Sequence, residues 1–150
     1  MSSKKTPKLE LTAEERAVFK QQKIKIGNLL DYSVEELCSR LRLSQPRARE
    51  LRALAEYQRI PSIGPKFARD MIELGYYSLD ELKKQDGAHL FDALEQLYGV
   101  EIDPCVEDQC RLIVDFARHR NRSRHWWDFT AERKQYRDQY GYPPNRPQKE

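Results

Sequence analysis

The sequence predicts an all-α protein, a small bundle of about seven or eight short helices, and three observations support this prediction. Helix-start signals recur along the 150 residues. Apolar residues are spaced three and four apart, as in Leu90, Ala93, Leu94 and Leu97, which places them on one helix face. No segment shows the sustained apolar–polar alternation that is typical of a strand. We therefore expect helices and no β-sheet.

The helix starts can be assigned in chain order from their capping residues. Three positions have the spacing of a capping box, in which a Ser or Thr and a Glu three residues later satisfy amides of the first turn. They are Thr12 with Glu15, Ser33 with Glu36, and Ser78 with Glu81. Two further starts combine a cap with a proline in the first turn, where no amide hydrogen bond is lost. They are Ser44 with Pro46 and Asp103 with Pro104.

Turn residues and composition predict where helices end and how the chain is divided. Gly75 and Gly99 stand where glycine commonly terminates a helix. The final stretch, YGYPPNRPQKE, is proline-rich and is expected to lack regular structure. Hairpin loops are predicted near 43–45 and 61–64. The predicted parts of the chain are a flexible N-terminal tail (1–10), a helical domain (11–130) and a basic, proline-rich C-terminal tail (131–150).

The net charge is only +3, but the charges are unevenly distributed along the chain. Residues 40–69 carry a net charge of +6, residues 70–108 a net charge of −9, and residues 111–137 a net charge of +5. A protein segregated in this way can present a basic face to a polyanion while an acidic face points away. The acidic segment 70–108 is also a candidate docking surface for a protein partner. The alternative is that each segment is simply a solvated helix surface.

No stretch has the length of a membrane-spanning helix or the features of a signal peptide, so a cytoplasmic protein without membrane contacts is expected. Cys38, Cys105 and Cys110 have neither the spacing of a disulfide framework nor that of a metal site. We interpret Cys105 and Cys110 as small core residues. No metal and no organic cofactor are therefore expected.

Enzymatic activity is not expected from the sequence. There is no glycine-rich nucleotide loop and no Ser/His or Cys/His pair with a plausible spacing. Asp103, Glu107 and Asp108 are candidates for the converging acids of a metal-dependent nuclease. The same spacing is that of an ordinary helix start with an acidic first turn. No catalytic residue is assigned.

The stretch RIPSIGPKFARDM, residues 59–71, interrupts the helical pattern. Pro61 disfavours a helical conformation at the residue before it. Gly64 is expected to permit a sharp turn with a positive φ, and Pro65 suits the first turn of the next helix. These residues predict two helices joined by a tight loop.

The same loop has the features of an anion site. The amides near Ile63, Gly64 and Lys66 should point outward at the positive end of the second helix. Lys66 adds a cation at the rim, with Arg59 and Arg69 expected close by. The alternative is a loop that only joins two helices.

The loop residues resemble the helix-hairpin-helix motif of DNA-binding and repair proteins. The matching residues are Ile60, Pro61, Ser62, Ile63, Gly64, Pro65, Lys66 and Ala68. The resemblance implies that hairpin amides bind DNA phosphates without reading bases, with a monovalent cation sometimes held by loop carbonyls. Ser62 departs from the motif, because it stands where the first glycine usually lies, and adds a hydroxyl group there.

A longer stretch, from about Leu54 to Phe129, resembles the small bacterial pathogenicity locus family of helix-hairpin-helix proteins. The resemblance rests on the hairpin, on SLDELKKQDGAHLFDALEQLYGVEIDPC and on RHWWDF. It implies a bundle built around helix-hairpin-helix motifs and sequence-independent DNA binding, with DNA repair or processing as the setting. The alternative is a protein-interaction module on the same scaffold that binds no nucleic acid.

Further DNA contacts are expected from basic residues beside the hairpin and near the C-terminus. These auxiliary residues are Arg49, Arg52, Arg122 and Arg124. Trp126 and Trp127 have two interpretations. They stack on unpaired bases, as in single-strand-binding proteins, or they close the end of a small helical core.

Overall fold

The computed structural model describes residues 6–148, so residues 1–5 of the predicted N-terminal tail and residues 149–150 lie outside the described part of the chain. Within 6–148, the fold has eight α-helices and two short 3-10 helices and contains no strand. The α-helices are α1 (Ala13–Gln21), α2 (Val34–Leu41), α3 (Gln45–Gln58), α4 (Pro65–Glu73), α5 (Leu79–Leu82), α6 (Gly87–Tyr98), α7 (Pro104–His119) and α8 (Thr130–Tyr140). The 3-10 helices are Ile26–Asp31 and Trp126–Phe129. The all-α prediction is confirmed.

The predicted helix caps are present, but the capping box predicted at Ser78 is incomplete, because Glu81 accepts the amide of Tyr77 and not that of Ser78. At Thr12 and Ser33 the hydroxyl accepts the amide three residues on, and the glutamate there accepts the cap amide in return, which completes a capping box. The side chains of Ser44, Ser78 and Asp103 each accept an amide from the first turn of their own helix. Local side-chain chemistry therefore determines where these five helices begin.

The predicted helix ends and hairpin loops are also confirmed. Gly75 and Gly99 have positive φ angles of 98° and 70°, just beyond the ends of α4 and α6. Loops at 42–44 and 59–64 join α2 to α3 and α3 to α4. The last described residues, 141–148, contain no helix or strand, as expected for that stretch.

Helix α7 lies at the centre of the bundle and packs against α5, α6, α8 and the 3-10 helix Trp126–Phe129. Its inward face buries Leu112, Ile113, Val114 and Phe116. Helix α3 packs against both α2 and α4. The α3–α4 hairpin is therefore held by the core on its inner side and leaves its loop at the surface.

The two predicted tails are more closely packed than their composition suggests. Leu9 is only 3% exposed, and the Lys8 amide donates a hydrogen bond to Oε1 of Gln58. Residues 131–140, placed in the C-terminal tail, instead belong to α8, which packs on α7 and carries the buried Arg137. The pattern of apolar residues did not indicate helix α8, because the side chain that this helix buries is an arginine.

The three cysteines are free thiols in different surroundings. Cys110 is buried and Cys38 is half-buried, but Cys105 is exposed, so its interpretation as a core residue is wrong. Burial raises the pKa of the Cys110 thiol well above its ordinary value. The Cys105 side chain is exposed because it lies in the first turn of α7, on the side away from the core.

Gly87 lies where α6 approaches the backbone of α7. A Cβ added at Gly87 would stand 2.8 Å from Cα of Arg111 and 2.9 Å from its amide nitrogen. Alanine favours a helix over glycine by about 1 kcal/mol, but overpacking costs about 1–3 kcal/mol. Because both contacts with backbone atoms are shorter than 3.0 Å, the upper end of this cost applies, and we expect Gly87→Ala to lower the free energy of unfolding in urea by about 2 kcal/mol. Gly27→Ala is the control, because its added Cβ meets no atom of the described residues within 4 Å. Equal stability of the two variants would contradict this close approach.

Candidate nucleic-acid interface

The loop between α3 and α4 is fixed to the core by its two isoleucines. The Ile60 amide donates to the Tyr57 carbonyl, and the Ile63 amide donates to the Ile60 carbonyl, each at 3.2 Å. The side chains of Ile60 and Ile63 are almost completely buried. Because both ends of the turn are held, the outward-facing groups of the loop have a defined arrangement.

The left-handed residue of this turn is Ser62, with a φ of 65°, so the prediction of a positive φ at Gly64 is wrong. Gly64 is extended, with φ −102° and ψ −175°, as expected for a residue that precedes proline. A non-glycine residue in the left-handed region costs about 1–2 kcal/mol. Here the Ser62 Oγ accepts a hydrogen bond from the Trp126 amide at 3.0 Å, which offsets part of this cost.

The start of α4 presents amides without an intramolecular partner. The first bond of the helix runs from the Ala68 amide to the Gly64 carbonyl at 3.1 Å. Among residues 6–148, no acceptor lies at the amides of Gly64, Lys66 or Phe67. The expected free amide at Ile63 is wrong, since that group is used inside the turn. The amides at the start of α4 that have no acceptor within the described residues are therefore those of Gly64, Lys66 and Phe67.

Gly64 leaves open space in front of these amides. A Cβ added there would meet no protein atom within 4 Å. Since its φ is also one that other residues adopt, the fold itself does not require glycine at this position. A small residue at such a place favours close approach of an external group to the backbone.

Two ionisable groups stand on the exposed side of α4. Lys66 is exposed at the first turn. One turn on, Asp70 accepts a hydrogen bond from the Tyr98 hydroxyl at 2.7 Å. Burial raises the pKa of Asp70, while the Tyr98 hydroxyl and nearby Lys66 act against this increase. Burial and the neighbouring carboxylate also raise the pKa of Tyr98.

The two arginines expected beside the hairpin have different roles. Arg59 is exposed, and no carboxylate within the described residues pairs with it. Arg69 forms an ion pair with Glu50 at 2.7 Å and lies 3.9 Å from Glu10. Arg69 therefore stabilises the packing of α4 on α3, and its charge is already compensated.

Most of the four auxiliary arginines also have internal partners. The contacts are Arg49 over the Tyr77 ring, Arg52 to the carbonyls of Leu30 and Tyr32, and Arg124 to the Asp115 carboxylate. Arg122 is exposed, and one of its N–H groups donates to the Arg59 carbonyl at 3.0 Å. This bond brings residues far apart in the sequence to one surface.

The segment that follows α7 contacts the hairpin through Arg122 and Trp126, which the sequence did not predict. Trp126 is partly buried against the core, consistent with closing the bundle. Trp127 is 54% exposed and stacks on His125, with ring centroids 4.5 Å apart. The two tryptophans therefore differ: Trp126 is partly buried against the core, and Trp127 remains largely exposed to solvent.

Several carboxylates of the acidic segment are paired within the protein. The pairs are Asp92 and Glu107 with Arg137, Asp108 with Arg133, and Glu95 with Arg146. The nuclease candidates Glu107 and Asp108 are fully buried in these pairs. Much of the negative charge of 70–108 is thus balanced by the basic residues near the C-terminus, and not presented to solvent.

Comparisons with known proteins cover the hairpin and the helices that follow it. A family model described as Cdd1, pathogenicity locus, matches residues 50–135, more than half of the chain. The chain is also similar to mitomycin resistance protein McrB of Streptomyces lavendulae. The two are 30% identical over 73 residues, which cover 49% of this chain and 69% of that protein. No solved structure matches.

Proposed function

The chain belongs to the Cdd1 pathogenicity locus family, and we propose that it binds DNA independently of sequence by holding backbone phosphate at the start of α4. The observation that carries this proposal is the open amide set of Gly64, Lys66 and Phe67. Helix N-termini bind phosphate because unpaired amides and the helix dipole both favour an anion there. Lys66 adds a full positive charge at the rim.

Such a site contacts phosphate and not base edges, so binding should be insensitive to sequence. The positive charges of Arg59 and Arg122 extend the surface beyond the loop. A monovalent cation at the loop carbonyls belongs to the same proposal. We place this activity in DNA repair or processing in the cytoplasm. The name of the mitomycin resistance relative supports testing mitomycin sensitivity as a cellular readout.

The proposal is tested by the affinity of the protein for two duplexes of unrelated sequence across a range of salt concentrations. Lys66→Ala should weaken binding to both duplexes equally and reduce the slope of log affinity against log salt by about one unit. The control is Lys84→Ala, which removes the same charge from an exposed site in the acidic segment.

Two results would contradict the proposal. One is the absence of binding to any DNA at low salt. The other is an equal effect of Lys66→Ala and Lys84→Ala, which would mean that only net charge matters. In either case a role in binding another protein becomes the better explanation. Exposed acids such as Asp80 and Asp86 would then contact the partner.

Within residues 6–148, no helix is both long enough and apolar enough to cross a membrane.

A further inference from the structure

A separate pocket lies beside the hairpin and is lined by four arginines from different parts of the chain. They are Arg52 on α3, Arg59 at its C-terminal end, Arg120 at the C-terminal end of α7, and Arg122 in the segment that follows. The pocket has a volume of about 310 Å³. This is at the lower end of the range for small-molecule sites, about 300–1,000 Å³.

None of these four arginines has a carboxylate partner within residues 6–148. Elsewhere in the protein, arginine side chains commonly form close ion pairs with carboxylates. Ion pairs of 2.7–2.9 Å are formed by Arg47, Arg69, Arg133, Arg137 and Arg146. The acid on the wall of the pocket is Glu56, and one of its oxygens already accepts the Leu79 amide at 2.8 Å. Within residues 6–148, the wall therefore carries four arginines and one carboxylate that forms no ion pair with any of them.

Two of the guanidinium groups are held in place by carbonyls. Arg52 donates to the carbonyls of Leu30 and Tyr32, and Arg122 donates to the Arg59 carbonyl at 3.0 Å. A guanidinium has five N–H donors, so each group retains donors for a ligand. Arginine donors are well suited to phosphate, because paired N–H groups match paired oxygens.

We propose that this arginine pocket binds a phosphate monoester. A monoester carries up to two negative charges near neutral pH, and these would relieve the repulsion among the four arginines. A pocket of this size accommodates a terminal phosphate with part of its sugar, whereas a continuous strand needs an open groove. The pocket uses neither the amides at the start of α4 nor Lys66, although it shares Arg59 and Arg122 with the wider basic surface. Arg52 and Arg120 belong to the pocket alone, so the inference is tested at Arg120 and does not depend on the proposed function.

The test is isothermal titration calorimetry with thymidine 5′-monophosphate, and with thymidine as the uncharged comparison. The monophosphate should bind and thymidine should not. Arg120→Gln should weaken binding by about tenfold, the effect of losing one charge-assisted contact. Arg42→Gln is the matched control, because Arg42 is also an exposed arginine at a left-handed helix end without a carboxylate partner. Arg42→Gln should bind like the parent.

Two further arms distinguish the source of the phosphate. A short single strand is compared with and without a 5′-phosphate. A preference for the phosphorylated strand that Arg120→Gln removes assigns the pocket to strand ends; binding of the mononucleotide alone assigns it to free nucleotides. Gly64→Val should leave mononucleotide binding unchanged, which separates this pocket from the hairpin. Absence of monophosphate binding, or equal binding by a folded Arg120→Gln variant, would overturn the inference.

Discussion

Replacing Gly64 by valine is expected to remove most of the DNA affinity while leaving the helical fold intact. Gly64 has an extended backbone that other residues adopt. An added Cβ meets no protein atom within 4 Å. The new side chain would instead enter the open space at the start of α4, where the proposed phosphate has to approach.

The size of this effect follows from the contacts that valine would block. A hydrogen bond to a charged group contributes about 1.5–3 kcal/mol, and about 1.4 kcal/mol corresponds to a factor of ten in affinity. Losing one amide contact should therefore weaken binding by about tenfold to a hundredfold. Fluorescence anisotropy with labelled duplexes of two unrelated sequences would measure this change, and both should lose affinity equally.

Gly27→Val is the control for this substitution, because Gly27 is a second glycine whose added Cβ would meet nothing within 4 Å. Circular dichroism and urea unfolding should show that both variants remain folded, apart from a small loss at Gly64 because valine is a poorer N-cap than glycine. If folded Gly64→Val binds DNA like the parent, the hairpin is only a connection between helices. The proposed DNA contact would then be wrong.

The sequence predicted the helices well where local chemistry determines them. A cap such as Ser33 and its partner Glu36 lie three residues apart, so the hydrogen bonds that start α2 can be recognised without knowing the fold. Helix α8 was missed because its buried position is filled by Arg137, whose partners lie on α6 and α7. No local pattern distinguishes such an arginine from a solvated one.

The candidate site was predicted only in part, because some of its features depend on contacts between residues that are far apart in the sequence. Proline and glycine in the loop correctly indicated a hairpin, but the left-handed residue proved to be Ser62. What stabilises Ser62 is the amide of Trp126, 64 residues away. The compensation of Arg69 by Glu50 and the convergence of Arg59 with Arg122 likewise depend on tertiary packing. Charge counts along the chain cannot show which arginines remain unpaired.

Replacing Arg137 by methionine is expected to cause a large loss of stability. The Arg137 side chain is 7% exposed and pairs with the fully buried Glu107 at 3.0 Å and with Asp92 at 2.8 Å. It also donates to the carbonyl of Gly141 at 3.0 Å. Without Arg137, Asp92 loses its ion pair and Glu107 keeps, among the described residues, only its contact with Arg111 at 3.2 Å. Removing one partner of a buried ion pair costs about 3–5 kcal/mol. We expect a decrease of this size in the free energy of unfolding, and a fall in Tm of about 10 °C.

Glu132→Gln is the matched control, because Glu132 pairs with Arg111 at 3.3 Å from a side chain that is 59% exposed. Exposed pairs contribute about 0–1 kcal/mol, so this variant should unfold close to the parent in urea. Adding Glu107→Gln to Arg137→Met should recover part of the lost stability, since this removes a buried carboxylate whose remaining ion-pair partner is Arg111 at 3.2 Å. If Arg137→Met is no less stable than Glu132→Gln, α8 is not held by this network, and its docking must come from apolar contacts such as that of Phe129.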